Sequence, residues 1–272
     1  MKVAAIQMVS GVDVMRNLES ARKLVFDAAA RGAELVALPE YFCALGMQDT
    51  DKLVYAEDWR EGVIQQALSQ WARETGVWLL GGTLPLKTKD PQRVTNTSML
   101  WNPQGQQVVR YDKVHLFRFS KGVEHYDESV RIAAGRDVVC AALVDRGGDH
   151  YKLGLSVCYD LRFPELFRQQ AAQGMDLLVV PSAFTYTTGR AHWQLLLRAR
   201  AVENQCYVLA PAQGGVHENG RHTWGHSMLI SPWGDVLAEQ CEEGPGIVEG
   251  DVDLAHLREI RQQLPALEHR VL

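Results

Sequence analysis

The chain has 272 residues, 46% of them hydrophobic and 22% charged, with a formal net charge of -5. Such a length and composition suit a large α/β domain, read here as one unit spanning residues 1–272, and exclude a disordered or low-complexity chain. The mild acidic balance argues against nucleic acid or an anionic membrane as a partner, and no apolar stretch reaches the roughly 20 residues that cross a bilayer.

In chain order, Lys2–Met8 reads as a strand. The apolar run in MKVAAIQMVS is too short for a secretory signal, so the expected address is the cytoplasm. Asn17–Ala30 carries apolar residues at helical spacing, ends near Gly32, and precedes the strand Leu35–Leu38. Val63–Thr75 is a helix closed by Gly76, followed by a strand over Val77–Leu84. Thr95–Trp101 and Gln107–Tyr111 flank Asn102–Pro103–Gln104–Gly105 and form a hairpin. Val138–Val144 and Leu153–Val157 are further strands. Pro164–Gln173 is helical with proline in its first turn, Leu177–Val180 is a buried strand, and Arg190–Asn204 is a helix. Cys206–Ala210, Ser227–Ile230, Asp235–Glu239 and Ile247–Val252 are strands, and Leu254–Leu264 is the last helix. Strands joined partly by helices and partly by hairpins imply an α/β fold with a mixed sheet, or two sheets face to face with helices outside.

The five cysteines, Cys43, Cys140, Cys158, Cys206 and Cys241, show no C-x-x-C spacing. An odd count without that spacing argues against a disulfide framework or a cysteine-rich zinc site. Most such residues are buried small hydrophobes. Cys158 stands apart because it ends a strand in KLGLSVCYDLRFPELFR.

Three segments place a reactive side chain just after an apolar strand, where open α/β sheets bind ligands. In AELVALPEYF, Glu40 follows Leu35–Leu38 and Pro39 and precedes Tyr41–Phe42. An apolar enclosure there would desolvate the carboxylate, raise its pKa and suit a general base. A solvated loop glutamate is the plainer alternative. In VVRYDKVHLF, Lys113 would hold a developing oxyanion and lower the pKa of a nearby thiol, although most lysines are surface residues. At Cys158 the strand turns sharply into a helix, much as a nucleophile elbow does. The Tyr159 backbone N–H would then face the oxyanion. Asp160, Arg162 and Glu165 place three charges beside the thiol, which a purely structural core cysteine would not tolerate.

These residues resemble the nitrilase superfamily of carbon–nitrogen hydrolases. The resemblance runs from VAAIQM through LPEYF, KVHLF, CYDLRFPELFR, PSAFT and AHWQLLLRARAVENQCYVLAPAQ to GHSMLISPWGDVLAE. It implies a four-layer α-β-β-α sandwich, a homodimer or higher homo-oligomer built through the outer helices, and Glu40, Lys113 and Cys158 as catalytic residues. It also implies Glu128, in YDESV, as a second glutamate beside the lysine. No metal or organic cofactor is implied.

Within the superfamily the motifs are most similar to the branch of deaminated glutathione amidases and ω-amidases. That implies hydrolysis of a small carboxylate-bearing amide through a cysteine thioester, with deaminated glutathione as first candidate and α-ketoglutaramate as the alternative. A fixed cation would hold the carboxylate. Arg162 is the candidate, since a guanidinium fork suits a carboxylate, although pairing with Asp160 or Glu165 would equally explain it. Phe184 and Thr187, in the loop after Leu177–Pro181, would line the substrate pocket.

Three rivals differ in class. A zinc hydrolase would use His217, His222, His226 and His192, but these span a Gly-rich loop without an H-E-x-x-H helix. A true nitrilase would share the triad without needing Arg162. A non-enzymatic, partner-binding member of the fold would be expected to have lost a triad residue.

Overall fold

The computed structural model describes residues 1–122 and 124–271, with Glu124 described through its backbone alone. Two sheets dominate. The first runs Gly246–Asp251, Lys2–Gln7, Leu35–Ala37, Trp78–Leu80, Val94–Trp101 and Leu84–Lys87, with Gln107–Asp112 also paired to Val94–Trp101. Its strands Lys2–Gln7, Leu35–Ala37 and Trp78–Leu80 are parallel. The second runs Val236–Glu239, Met228–Ile230, Tyr207–Ala210, Leu177–Val179, His150–Leu155 and Cys140–Val144. There His150–Leu155, Leu177–Val179 and Tyr207–Ala210 are parallel.

The layers follow from side-chain alternation along the strands. Val3, Ala5, Leu35 and Ala37 face the core shared with the second sheet. Ala4, Ile6 and Val36 face the opposite way, onto Leu18, Ala21 and Val25 of the helix Val14–Ala30 and onto Leu68 and Trp71 of the helix Val63–Thr75. Beyond the second sheet, Pro164–Ala172 contributes Leu166 and Phe167, and Tyr186–Asn204 contributes Trp193 and Leu197. The result is an α-β-β-α sandwich whose central strands Lys2–Gln7, Leu35–Ala37, Leu177–Val179 and Tyr207–Ala210, buried on both faces, read as nearly continuous hydrophobic runs.

Most element expectations hold to within a few residues, and the departures have local causes. The strand expected over Val77–Leu84 is split into Trp78–Leu80 and Leu84–Lys87. Gly82 lies between them with φ +49, and a Cβ there would sit 2.1 Å from Pro39 O. The chain must break its pleat to let the Pro39–Glu40 loop pass. The helix expected from Arg190 begins at Tyr186, because the Thr185 side chain accepts from Thr188 N and caps it. Two short hairpins, Arg118–Lys121 with Glu124–Asp127 and Gly214–Val216 with His222–Trp224, were not expected. A short helix, Asp51–Val54, also joins the pattern. Among the described residues no helix is long and apolar enough to cross a membrane.

Candidate active site

Glu40, Lys113 and Cys158 converge where the carboxyl ends of both sheets' parallel strands meet. Each position has a backbone cause. Glu40 follows Leu35–Ala37 by one short turn, and its Oε2 accepts from Ala183 N at 2.9 Å. Lys113 follows Gln107–Asp112, whose register against Val94–Trp101 brings Lys113 N to Asn96 O at 2.9 Å. The same register puts Asn96 Nδ2 2.8 Å from Glu40 Oε1. Cys158 opens a 3-10 turn, Cys158–Arg162, just beyond His150–Leu155. Its N–H donates to Pro181 O at 3.0 Å, so the loop after Leu177–Val179 holds both thiol and carboxylate.

Cys158 has φ +49 and Tyr41 φ +56, left-handed values that side chains other than glycine rarely adopt. Such strain persists only where surrounding bonds over-determine it. Here the Tyr41 N–H donates to Thr83 Oγ1 at 2.9 Å. Around Cys158 the bracing runs through Asp160, fully buried and not a free charge beside the thiol. Its carboxylate accepts from Tyr111 Oη at 2.6 Å, Val157 N at 2.9 Å and His115 N at 2.9 Å, and lies 2.7 Å from His115 Nδ1. Tyr111 and His115 flank Lys113 in sequence, so Asp160 locks the lysine segment to the cysteine turn. Glu165 is exposed on the following helix and does not join this group.

Lys113 Nζ sits between two carboxylates, 2.9 Å from Glu40 Oε1 and 2.8 Å from Glu128 Oε2, with its own side chain fully buried. Burial alone would pull its pKa down, but Glu128 and Glu40 outweigh it and hold the ammonium well above the ordinary lysine value. Glu128 is opposed by burial, yet Lys113 and its hydrogen bonds keep it ionised and its pKa lowered. It accepts from Tyr41 Oη at 2.7 Å and Phe117 N at 2.7 Å. The Cys158 thiol is pushed well above its usual range, first by burial and then by Glu40, with Lys113 opposing. Lys113 acts in the expected direction, lowering the thiol pKa, but burial and Glu40 outweigh it. Burial and Glu40 thus favour the thiol over the thiolate, and sulfur needs a base when it attacks.

The Tyr159 N–H has no acceptor among the described residues, whereas its neighbours' N–H groups bond Pro181 O and Val157 O. It is available to an oxyanion. A narrow recess opens onto these groups, walled by Phe117, Tyr159, Phe184, Thr185, Thr188 and Arg221. Phe184 is among the lining residues. Thr187 is not among the lining residues: it lies on the helix Tyr186–Asn204, and the wall takes Thr185 and Thr188, a cap pair one turn apart, instead.

Arg162 is paired with neither Asp160 nor Glu165. Its guanidinium lies over the rings of Tyr159 and Phe184, with Nη2 3.3 Å from His192 Nδ1. Arg221 is the cation that sequence reasoning missed, carried by the unexpected hairpin Gly214–Val216 with His222–Trp224. The four histidines weighed as zinc ligands have separate partners: His217 contacts Ser10 O and Thr223, His222 Glu243, His226 Glu239 and His192 Arg162. His226, Glu239 and Cys241 do bring donor atoms within 4.8 Å of one another, as a group that includes no triad residue.

Comparison with known proteins follows the same lines. The family described as carbon-nitrogen hydrolase matches residues 2–262. The chain is 44% identical over 270 residues to the deaminated glutathione amidase of Synechocystis sp. (strain PCC 6803 / GT-S), covering 98% of this chain and 97% of that one. Saccharomyces cerevisiae Nit3, a member of branch 10 of the nitrilase superfamily, superposes with a TM-score of 0.88 at 31% identity, covering 100% of this chain and 97% of Nit3. A mutant of the amidase from Nesterenkonia sp. AN1, which shows the result of Michael addition of acrylamide at its active-site cysteine, superposes with a TM-score of 0.79 at 27% identity over 97% of this chain and 98% of that one.

Proposed function

Since this chain belongs to the carbon–nitrogen hydrolase family and is a hydrolase of amide carbon–nitrogen bonds, we propose that Cys158 is its nucleophile, Glu40 its general base and acid, and Lys113 its oxyanion donor. The observation carrying this reading is the buried Lys113 ammonium, 2.9 Å from Glu40 and opening with Cys158 onto one recess. The cysteine of the Nesterenkonia relative adds support.

In this mechanism Glu40 takes the thiol proton as sulfur attacks the amide carbonyl. The negative charge that develops on oxygen is met by the Lys113 ammonium and the Tyr159 N–H. Glu40 passes its proton to the departing nitrogen, the carbon–nitrogen bond breaks, and the amine leaves a thioester on Cys158. Water enters, gives a proton to Glu40 and adds to the thioester carbonyl. Collapse of that intermediate releases the acid, and Glu40 returns its proton to sulfur. Glu128 keeps Lys113 charged and in place.

The substrate reading is deaminated glutathione, cleaved to an α-keto diacid and cysteinylglycine. It draws on the similarity to the Synechocystis enzyme and on the cations at the recess, Arg221 in its wall and Arg162 over Phe184. A cytoplasmic location, a single hydrolase domain over residues 1–272 and a homo-oligomer formed through the outer helices complete the reading.

A substrate panel tests it. Purified protein should release cysteinylglycine from deaminated glutathione faster than ammonia from α-ketoglutaramate, with nitriles untouched. A preference for α-ketoglutaramate would make it an ω-amidase instead.

A further inference from the structure

A second recess, open to solvent, adjoins the first and shares Tyr41, Phe117, Glu128 and Arg221 with it. It is bounded by Leu45 and Gly46 from the segment leading into the helix Asp51–Val54, by Lys52 on that helix, and by Tyr126 from the hairpin Arg118–Lys121 with Glu124–Asp127. The residues common to both recesses form the boundary between them. The inner recess alone holds Cys158, Phe184 and Thr188.

Charges in the outer recess are not equally committed. Asp127 accepts from Ser129 and lies 3.5 Å from Arg118. Lys52 Nζ is 3.2 Å from Asp49, whose side chain is 73% exposed and so holds it loosely. Glu128 is consumed by Lys113, Tyr41 and Phe117. Arg221 differs from all of these. Its guanidinium lies 5.0 Å over the Tyr126 ring and forms no ion pair among the described residues. A planar fork of donors, steadied by a ring and short of an anion, suits a carboxylate.

Resting on the deaminated glutathione reading, we propose that the outer recess is a subsite for the leaving amine, with Arg221, assisted by Lys52, binding the carboxylate of a peptide-like amine. The acyl chain fills the inner recess beside Phe184 and Thr188. The scissile nitrogen faces that shared boundary, and its substituent extends outward past Arg221. In deaminated glutathione that substituent is cysteinylglycine, whose two residues carry the glycine carboxylate roughly 7 Å from the scissile nitrogen when extended. A primary amide releases ammonia and leaves the outer recess unused. Selectivity for an N-substituted amide over a primary one is then set at Arg221, outside the catalytic groups. Because only cysteinylglycine reaches this recess, binding there is lost or gained without altering attack at the carbonyl.

The test compares three substrates: deaminated glutathione, its analogue with the glycine carboxylate converted to a carboxamide, and α-ketoglutaramate. For the natural chain, the kcat/KM ratio of deaminated glutathione to the carboxamide analogue should be about tenfold or more. In Arg221→Gln that ratio should collapse toward one, and the ratio of deaminated glutathione to α-ketoglutaramate should fall by about the same factor. Most of the change should lie in KM. Lys52→Gln should move both ratios the same way by a smaller factor, and it carries the test if Arg221→Gln fails to fold. Ratios within about twofold of the natural chain's in both variants, or a parallel loss on all three substrates, would overturn the assignment. A natural chain inactive on deaminated glutathione in the first place would instead overturn the substrate reading itself.

Discussion

Asp127 and Glu128 are neighbours in sequence and belong to two different regions of this molecule. Glu128 closes the floor of the site, 2.8 Å from a fully buried ammonium and bound by Tyr41 and the Phe117 backbone. Asp127 belongs to the rim, on a two-stranded hairpin, 3.5 Å from an Arg118 side chain that is 78% exposed. The same kind of ion pair acts differently in the two places. In the floor, water is excluded, every charge has several fixed partners, and removing one member strands another in a low-dielectric interior. At the rim, solvent screens the pair and either member can be lost cheaply. The floor is therefore organised before substrate arrives, and the rim is left free to meet it.

The largest effect should come from the sulfur in the floor. Cys158→Ala should lower turnover by about 10⁴-fold or more, with circular dichroism and melting temperature nearly unchanged. Substantial residual turnover would break the division at its root.

Next comes Lys113→Met, which keeps the bulk and removes the charge. Turnover should fall about 10²–10³-fold. Stability should also drop, by about 3–5 kcal/mol for a disrupted buried pair, in chemical denaturation. A variant as stable as the natural chain would show that the floor is not held by this charge.

The pH dependence sharpens the contrast. Glu128 titrates below its ordinary carboxylate value of 4.5 in the folded chain, so its stabilisation is present above about pH 4.5 and is lost as pH falls through the folded value. Lys113 is raised above 10.5; its contribution is complete below that pH and disappears as pH rises through the folded value. The stability difference between the natural chain and Glu128→Gln should thus be flat near neutrality and shrink in acid. A difference that grows in acid would contradict the geometry.

Thiol reactivity gives a further handle. Because burial and Glu40 push the Cys158 pKa up, iodoacetamide labelling of Cys158, followed by peptide mapping, should climb with pH past 9. Glu40→Gln should shift the profile to lower pH. At the small end, Arg118→Ala should move the melting temperature by no more than about 2 °C.

What the sequence discloses divides along the same line. Strand ends carrying Glu40 and Cys158 are legible because each follows a run of largely buried apolar residues, and hydrophobic periodicity reports burial, whereas Lys113 follows the half-exposed strand Gln107–Asp112 and is legible only through its local motif. The rim hairpins escape such reading. Arg118–Lys121 is largely exposed, and Gly214–Val216 with His222–Trp224 reads as a glycine- and histidine-rich loop, so neither shows an alternating apolar pattern. With that second hairpin goes Arg221, whose approach to the site is a matter of tertiary placement. Thr187 illustrates the finer limit. Choosing between it and Thr188 requires knowing that Thr185 caps the helix and fixes its phase. Asp160 was visible as a charge near the thiol, but its part as the brace between Tyr111, His115 and the cysteine turn depends on contacts 45 to 49 residues apart.

The central claim is a covalent bond to one particular sulfur. Protein quenched during turnover and weighed intact should gain the mass of the substrate less its departing amine, with the increment on the peptide containing Cys158 and absent from Cys158→Ala. Rapid-quench sampling should find that adduct forming as fast as the amine is released. An increment on Cys43, Cys140, Cys206 or Cys241, or amine release with no adduct at any sampled time, would contradict the account.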